Sequence, residues 1–186
     1  MINEKEYGEL FKRLLKAYYE GVFEETVEEV FSNKDVNKES FAKIISALCG
    51  VEVDYSNNFS KNLVKAIENY KGSNSVVINT YSCLKNCIQI DGKTICQNAC
   101  PFDAILIGND GSNIDINMDN CVHCGICVES WDNKNFMDKI EFIPLIDDLR
   151  KNQKIIAAVA PAIVGQFGEN VSMGQIRAGL KKIGFA

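Results

Sequence analysis

The spacing of the cysteines constrains this chain more than any other feature of its sequence. Seven of the eight cysteines lie between residues 83 and 127. They form two groups: Cys83, Cys87, Cys96 and Cys100, and further along the chain Cys121, Cys124 and Cys127. In the second group, successive cysteines are three residues apart, and Gly125 allows a tight backbone turn between them. Three thiolates on one such loop can reach three corners of an iron–sulfur cube.

A four-iron cube needs a fourth thiolate, and the sequence around Cys100 indicates its source. Cys100 follows Cys96 with three residues between them, and Pro101 comes directly after it. This pattern resembles that of bacterial ferredoxins, in which the cysteine before the proline is the remote ligand of the partner cluster. The resemblance implies one [4Fe–4S] cluster with four ligands: Cys100, Cys121, Cys124 and Cys127.

The first group of cysteines departs from the ferredoxin pattern. A two-cluster ferredoxin would have a further cysteine at position 131 and a proline at 132, where this chain has Trp131 and Asp132. The metal-ligand candidates Cys83, Cys87 and Cys96 therefore lack a fourth thiolate, and an insertion widens their spacing. Two hypotheses stay open. Either there is a second cluster, which takes a ligand such as Asp132 or a solvent oxygen or is a three-iron [3Fe–4S] cluster, or the thiols are vestigial or used differently.

Structural zinc sites and disulfide frameworks are the other common uses of closely spaced cysteines. Zinc usually takes two separated pairs rather than a triplet. A disulfide framework is typical of short secreted chains, whereas this chain begins with Met1-Ile-Asn-Glu-Lys-Glu6 rather than with a signal peptide. The pattern therefore favours iron bound by reduced thiols in the cytoplasm, with a zinc-stabilised interaction module as an alternative.

Composition narrows the expected partners. The chain has 186 residues, of which 46% are hydrophobic, which is enough for one or two small domains with a core. Its net charge of −5 disfavours a nucleic-acid surface. No apolar run approaches the length of about 18 residues that a membrane span requires. We therefore expect neither nucleic acid nor a membrane as a partner.

Residues 1–72 have the pattern of three amphipathic helices. An apolar stripe at helical spacing predicts one long helix that includes Leu10 to Phe23. Similar stripes predict a second helix from about Asn37 to Leu48 and a third from about Ser60 to Tyr70. We assign this region to packing rather than to chemistry. Cys49, at a helix end, is predicted to be a buried free thiol.

Residues 73–140 combine the cysteine groups with short strands. The segment Ser75 to Ile78 predicts a strand before the first cysteines. After Cys100, the runs Ala104 to Ile107 and Ile114 to Ile116 predict a hairpin with a turn at Asn109 to Gly111. The order of cysteines, short helix, hairpin and cysteines resembles a ferredoxin-like cluster domain.

Residues 141–186 have the pattern of the beginning of an α/β domain. The apolar run Lys154 to Ala160 is typical of a strand that is buried on both faces of a parallel sheet. Ser172 and Gln175 form a capping box that predicts a following helix, with Gly184 just past its end. A parallel sheet needs a further strand, which is expected to begin at the last residues of this chain.

The same segment resembles the opening of the catalytic domain of [FeFe]-hydrogenases. The resemblance rests on Ile156-Ala-Ala-Val-Ala-Pro-Ala162 and Leu180-Lys-Lys-Ile-Gly-Phe185, and it covers about residues 83–186 together with the cysteine motifs. In that family the catalytic domain directly follows a ferredoxin-like module. The cysteine signatures that hold the family's H-cluster are absent from this chain. The resemblance implies an oxidoreductase segment that passes single electrons between a soluble carrier, such as a ferredoxin, and an H-cluster domain outside this chain, and that is inactive alone.

Together these patterns predict an α+β protein in three parts. Residues 1–72 are a helical region, residues 73–140 a ferredoxin-like iron–sulfur domain, and residues 141–186 the first strand and helix of an incomplete hydrogenase-like α/β domain. Iron–sulfur electron transfer is the function that these patterns favour. A redox or gas sensor that uses the incompletely ligated cluster and the zinc-stabilised module are the alternatives.

Overall fold

The computed structural model describes residues 4–32, 37–72, 74–80, 91–108, 114–129, 135–151 and 154–186. Helices and two small antiparallel sheets make up its regular structure, so the chain is of the α+β class. It divides into two compact units, Met1–Pro144 and Leu145–Ala186. The first unit includes most of the predicted helical and iron–sulfur regions, and the boundary near residue 72 stays a prediction.

Four helices precede the first strand in the described residues, where the sequence predicted three. They are α1 Glu4–Glu20, α2 Phe23–Ser32, α3 Lys38–Leu48 and α4 Phe59–Glu68. The prediction of one long helix through Phe23 is wrong, because α1 ends at Glu20 and Gly21 adopts a left-handed φ of 78°. Phe23 instead begins α2. The two later helices are confirmed, and the Asn37 side chain caps α3 by accepting a hydrogen bond from Ser40 N at 3.0 Å.

The helices pack around an apolar core with an aromatic cluster at its edge. The largest fully buried apolar side chains of the helices are Leu14, Val27, Phe41, Ile44, Ile45, Leu48 and Leu63. The Phe31 ring meets the rings of Phe41 and Phe59 edge-on, with centroid distances of 5.1 and 5.3 Å. Cys49 is fully buried, as predicted, and burial raises the pKa of its thiol.

The remainder of the first unit alternates short strands and short helices. In order these are β1 Val77–Asn79, α5 Ile95–Ala99, β2 Ile105–Ile107, β3 Ile114–Ile116, α6 Ile126–Glu129 and β4 Phe136–Asp138. The outer strands β1 and β4 pair with each other, and the inner strands β2 and β3 form the predicted hairpin, both pairs antiparallel. The predicted turn at Asn109 to Gly111 lies outside the described residues. Both sheets contribute to one small core of buried side chains: Cys96, Ile105, Ile114 and Phe136.

Helix α3 connects the helical part of the first unit to the sheet formed by β1 and β4. Ile140 N, just after β4, donates a hydrogen bond to Ala47 O in α3 at 2.8 Å. Lys139 forms an ion pair with Glu52, and the Lys139 side chain is only 1% exposed. A buried ammonium needs such a partner, so this contact fixes the two parts against each other.

The second unit contains α7 Ile146–Arg150, a short 3-10 helix at Pro161–Ile163 and α8 Met173–Lys182. The capping box is confirmed, because Gln175 N donates to Ser172 Oγ at 3.3 Å and Ser172 N donates to Gln175 Oε1 at 2.8 Å. The predicted buried strand is wrong: residues 154–160 are irregular, and Ile156 is 80% exposed.

An apolar run forms a strand only where another strand accepts and donates its hydrogen bonds. In the described part of the second unit, the nearest approach to such pairing is a hydrogen bond of 2.8 Å from Ala186 N to Ile155 O. Burial on both faces would also require further layers of structure. The composition of residues 154–160 therefore predicted a strand, but these residues have no strand to pair with in the described part of this unit. Separately, none of the helices in the described ranges has the length and apolar character needed to cross a bilayer.

Replacing Gly50 tests how tightly α3 approaches the segment after β4. Gly50 has a φ of 70°, and a Cβ atom built there would lie 2.6 Å from the Glu141 backbone Cα. Gly21 has a similar φ of 78° with open space around it, so it is a matched control. We expect Gly21→Ala to lower the free energy of unfolding by about 1 kcal/mol and Gly50→Ala by about 3 kcal/mol, because only Gly50→Ala adds a backbone clash. Urea denaturation followed by circular dichroism measures both values, and equal losses would contradict this packing.

Candidate metal centre

Four of the predicted ligands line one small cavity of about 30 Å³. They are Cys100, Cys121, Cys124 and Cys127, and most of the other lining side chains are apolar. Cys100 lies before the β2–β3 hairpin and the other three lie after it. The fold therefore brings the cysteine before the proline together with the cysteine triplet.

The hairpin explains why these cysteines meet. Ile105 lies opposite Ile116 in the register of β2 and β3, and Asn117 N donates to Ala104 O at 2.7 Å, which extends the pairing toward the cysteines. Cys100 lies four residues before Ala104, and Cys121 lies four residues after Asn117. Because the two strands run antiparallel, equal offsets bring both cysteines to the same end of the hairpin.

Helix α5 fixes the position of Cys100 from the other side. Thr94 and Gln97 form a capping box at its start, with Gln97 N donating to Thr94 Oγ1 at 3.2 Å and Thr94 N donating to Gln97 Oε1 at 3.0 Å. The C-terminal cap is Cys100 itself, whose N–H donates to Gln97 O. The Thr94-x-x-Gln97 spacing is a capping-box pattern, so this helix start could have been found in the sequence.

A small polar network holds the segment before α5. The carboxylate of Asp91 accepts hydrogen bonds of 3.0 Å from Lys93 N and from Asn98 Nδ2, which lower its pKa. The Lys93 ammonium also lies 2.8 Å from the Asp103 carboxylate, just beyond Cys100. These exposed contacts connect both ends of the α5 segment.

Backbone geometry shapes the two cysteine loops. Ala104 N donates a hydrogen bond to Cys100 Sγ at 3.3 Å. His123 and Gly125 flank Cys124 with φ values of 56° and 78°, so the loop turns sharply on both sides of this cysteine. The His123 Nδ1 atom lies 4.0 Å from Cys121 Sγ.

The cavity has a buried side and an exposed side. Cys127 lies on the buried side, packed against the small core, whereas Cys124 is exposed to solvent. Burial raises the pKa of the Cys127 thiol to about 11, and negative charge on Cys121, Cys100 and Cys124 contributes to the same rise. Cys127 is therefore harder to ionise than an ordinary thiol.

Cys96 does not line this cavity, although it is only four residues from Cys100. Its side chain is buried in the small core, where Asn135 Nδ2 donates to Cys96 Sγ at 3.6 Å. No pattern near Cys96 indicated this amide, because Asn135 lies 39 residues away. Cys83 and Cys87, together with Trp131 and Asp132, lie outside the described residues.

A second cleft, of about 910 Å³, is lined by residues of the helical part and of β1 and β3. Charged groups of both signs line it, including Lys43, Glu52, Asp54 and Lys139. Neither a cysteine nor a histidine is among its described lining residues. The candidate redox chemistry therefore belongs to the small cavity.

Within the described ranges, no set of three or more histidine, cysteine, aspartate or glutamate side chains is arranged to hold a metal ion. Comparison with protein-family models and with curated proteins gives no match. The functional argument therefore rests on the residues and contacts of this chain.

The reactivity of the thiols tests the two sides of the cavity. In the reduced, iron-free chain at pH 8, we expect iodoacetamide to modify exposed Cys124 first. With a pKa of about 11, only about one Cys127 thiol in a thousand is ionised at pH 8, so its alkylation rate should rise about tenfold per pH unit up to pH 10. Peptide mass spectrometry measures each rate.

Fully buried Cys49 is the internal control for folding in this experiment. It should stay unmodified as long as the helical core is intact. A Cys127 rate that equals the Cys124 rate at pH 8, with Cys49 still protected, would contradict the burial of Cys127.

Proposed function

We propose that this chain is an iron–sulfur electron-transfer protein with a [4Fe–4S] cluster bound by Cys100, Cys121, Cys124 and Cys127. The proposal rests on one observation: these four thiols, which come from two separate segments of the chain, line one apolar cavity. When bound, such a cluster would accept and release single electrons. The chain's own residues determine where those electrons enter and how readily the site accepts them.

The donor set suits this cofactor. Iron–sulfur clusters take cysteine thiolates as ligands, and the four sulfurs bind different iron atoms, so they surround the cluster rather than one central ion. A zinc ion would instead require four ligands at about 2.0–2.3 Å from a single point. The apolar lining and the hydrogen bond from Ala104 N to Cys100 Sγ are also features that influence cluster potentials.

The surroundings act on the reduction step in two opposing ways. Reduction adds negative charge, which the apolar wall around Ile105 and Cys127 disfavours because the local dielectric constant is low. The hydrogen bond from Ala104 N to Cys100 Sγ places a partial positive charge beside the sulfur, so it favours the reduced state of the cluster. Cys124 is the most exposed of the four cysteines, so electrons would enter or leave on its side.

The arrangement of elements supports a ferredoxin-like domain as the finer description of this region. Two strand pairs, β1–β4 and β2–β3, enclose one core, and the cysteine segments lie beside α5 and α6. For the second unit, the hydrogenase-like segments at Ile156 to Ala162 and Leu180 to Phe185 support an electron acceptor in an H-cluster domain. We place the protein in the cytoplasm, where thiols stay reduced, with a soluble redox protein as its other partner.

Serine variants test the ligand set. We expect Cys100→Ser and Cys124→Ser each to remove about one cluster, or roughly four iron atoms per chain, because both sulfurs line the same cavity. Cys96→Ser should leave that cluster's reduced EPR signal in place, because the Cys96 side chain lies in the core. Anaerobic iron and sulfide analysis with EPR measures these outcomes.

Cys49→Ala is the matched control, since Cys49 is a cysteine of the helical core. It should keep the iron content of the unaltered chain. A Cys100→Ser variant that behaves like Cys96→Ser, with the full signal of the triplet retained, would contradict the ligand set. A colourless protein that contains zinc and no iron would support the zinc-stabilised module instead.

A further inference from the structure

Four exposed apolar side chains line the four-cysteine cavity: Val76, Phe102, Val122 and Ile126, which are 40%, 46%, 54% and 39% exposed. We call Phe102, Val122 and Ile126, the three that lie beside the cysteines in the sequence, the apolar rim. Cys124, the exposed cysteine, lies between Val122 and Ile126 in the sequence and lines the same cavity. Contact with the rim would therefore bring another molecule close to the cysteine sulfurs.

The two segments that carry the rim residues are acidic. Residues 91–108 and 114–129 contain five carboxylates and one ammonium group, a net formal charge of −4. The carboxylates belong to Asp91, Asp103, Asp115, Asp119 and Glu129, and the ammonium to Lys93. That ammonium is already paired with Asp103 at 2.8 Å. A partner that approaches these segments meets a net negative charge and exposed apolar side chains.

We propose that the apolar rim is the docking site for a redox protein with lysine and arginine side chains around its own exposed cofactor edge. This inference rests on the proposed function, since it gives that function its electron partner. Complementary charges accelerate the encounter, and a small apolar contact lets the two proteins separate after transfer. An acidic carrier would be repelled by the same surface.

When a partner docks, the apolar rim would exclude water between the cluster and the partner's cofactor. Phe102 comes directly after Pro101, and Val122 and Ile126 flank the loop that holds Cys124. Leu106, on β2, is also 46% exposed but does not line the cavity. It therefore serves as a control residue of equal exposure on the same domain.

Electron transfer to two probe proteins of opposite charge tests the partner's chemistry. The iron-loaded chain is reduced with dithionite, freed of excess reductant and mixed in a stopped-flow instrument with a basic c-type cytochrome or with an acidic flavodoxin. One electron leaves the reduced cluster and converts haem iron(III) to iron(II), or flavin to its one-electron reduced form. We expect the cytochrome rate to fall at least about tenfold from low to high salt and the flavodoxin rate to rise.

Variants of the rim test the docking site itself. Phe102→Ser and Val122→Ser should each slow the second-order reaction with the cytochrome about tenfold, whereas Leu106→Ser should stay within about twofold. Asp119→Asn should weaken the salt dependence without changing the iron content. Iron analysis and EPR of every variant establish that the cluster is intact.

The outcomes separate the two proposals. If the unaltered chain binds no iron under anaerobic reconstitution, the proposed function fails and this inference fails with it. If the cluster is intact and the rim variants react like Leu106→Ser, the docking site is wrong while the proposed function stands. If the flavodoxin reacts faster than the cytochrome at low salt, the basic partner is wrong.

Discussion

The antiparallel pairing of β2 with β3 is the constraint on which the candidate centre depends. It reverses the chain so that Cys100, before the hairpin, and Cys121, after it, reach the same cavity. The register is fixed by side chains, because Ile105 and Ile114 are buried in the small core while Leu106 and Asp115 face outward. A shift of one residue would exchange these faces and move the two cysteine segments apart. The meeting of these four cysteines is therefore a consequence of strand register as much as of cysteine spacing.

The divergence of Cys96 and Cys100 follows from local backbone geometry. Residues four apart on a helix share a face, which would direct both sulfurs to one place. Cys100 instead caps α5 with an extended backbone, φ −87° and ψ 109°, which is the conformation that a following proline favours. Pro101 thus sends Cys100 to the cavity while Cys96 stays in the core beside Asn135. The cysteine–proline pair has a steric role in addition to its value as a motif.

Local signals in the sequence predicted the structure well, and signals that depend on distant contacts did not. The hairpin, the helix that begins at about Asn37 and the Ser172 capping box each follow from neighbouring residues, and the structure has all three. The break between α1 and α2 was missed because the apolar stripe continues through Gly21. The strand at residues 154–160 was predicted from composition, whereas a strand needs a pairing partner. The Asn135 amide was not predicted because only tertiary structure brings it to Cys96.

The helical part supports one side of the small domain and leaves the other side accessible. Its contacts reach β1 and β4: Ala47 accepts a hydrogen bond from Ile140, and Glu52 pairs with the buried ammonium of Lys139. Glu52 is 59% exposed, so losing Lys139 would leave no buried charge, whereas losing Glu52 would remove an ion-pair partner from the buried ammonium. The cysteine cavity is lined from β1, the α5–β2 turn, β3 and the loop before α6, and Cys124 remains exposed. The helices thus pack against the sheet of β1 and β4, and the thiol of Cys124 stays accessible to solvent.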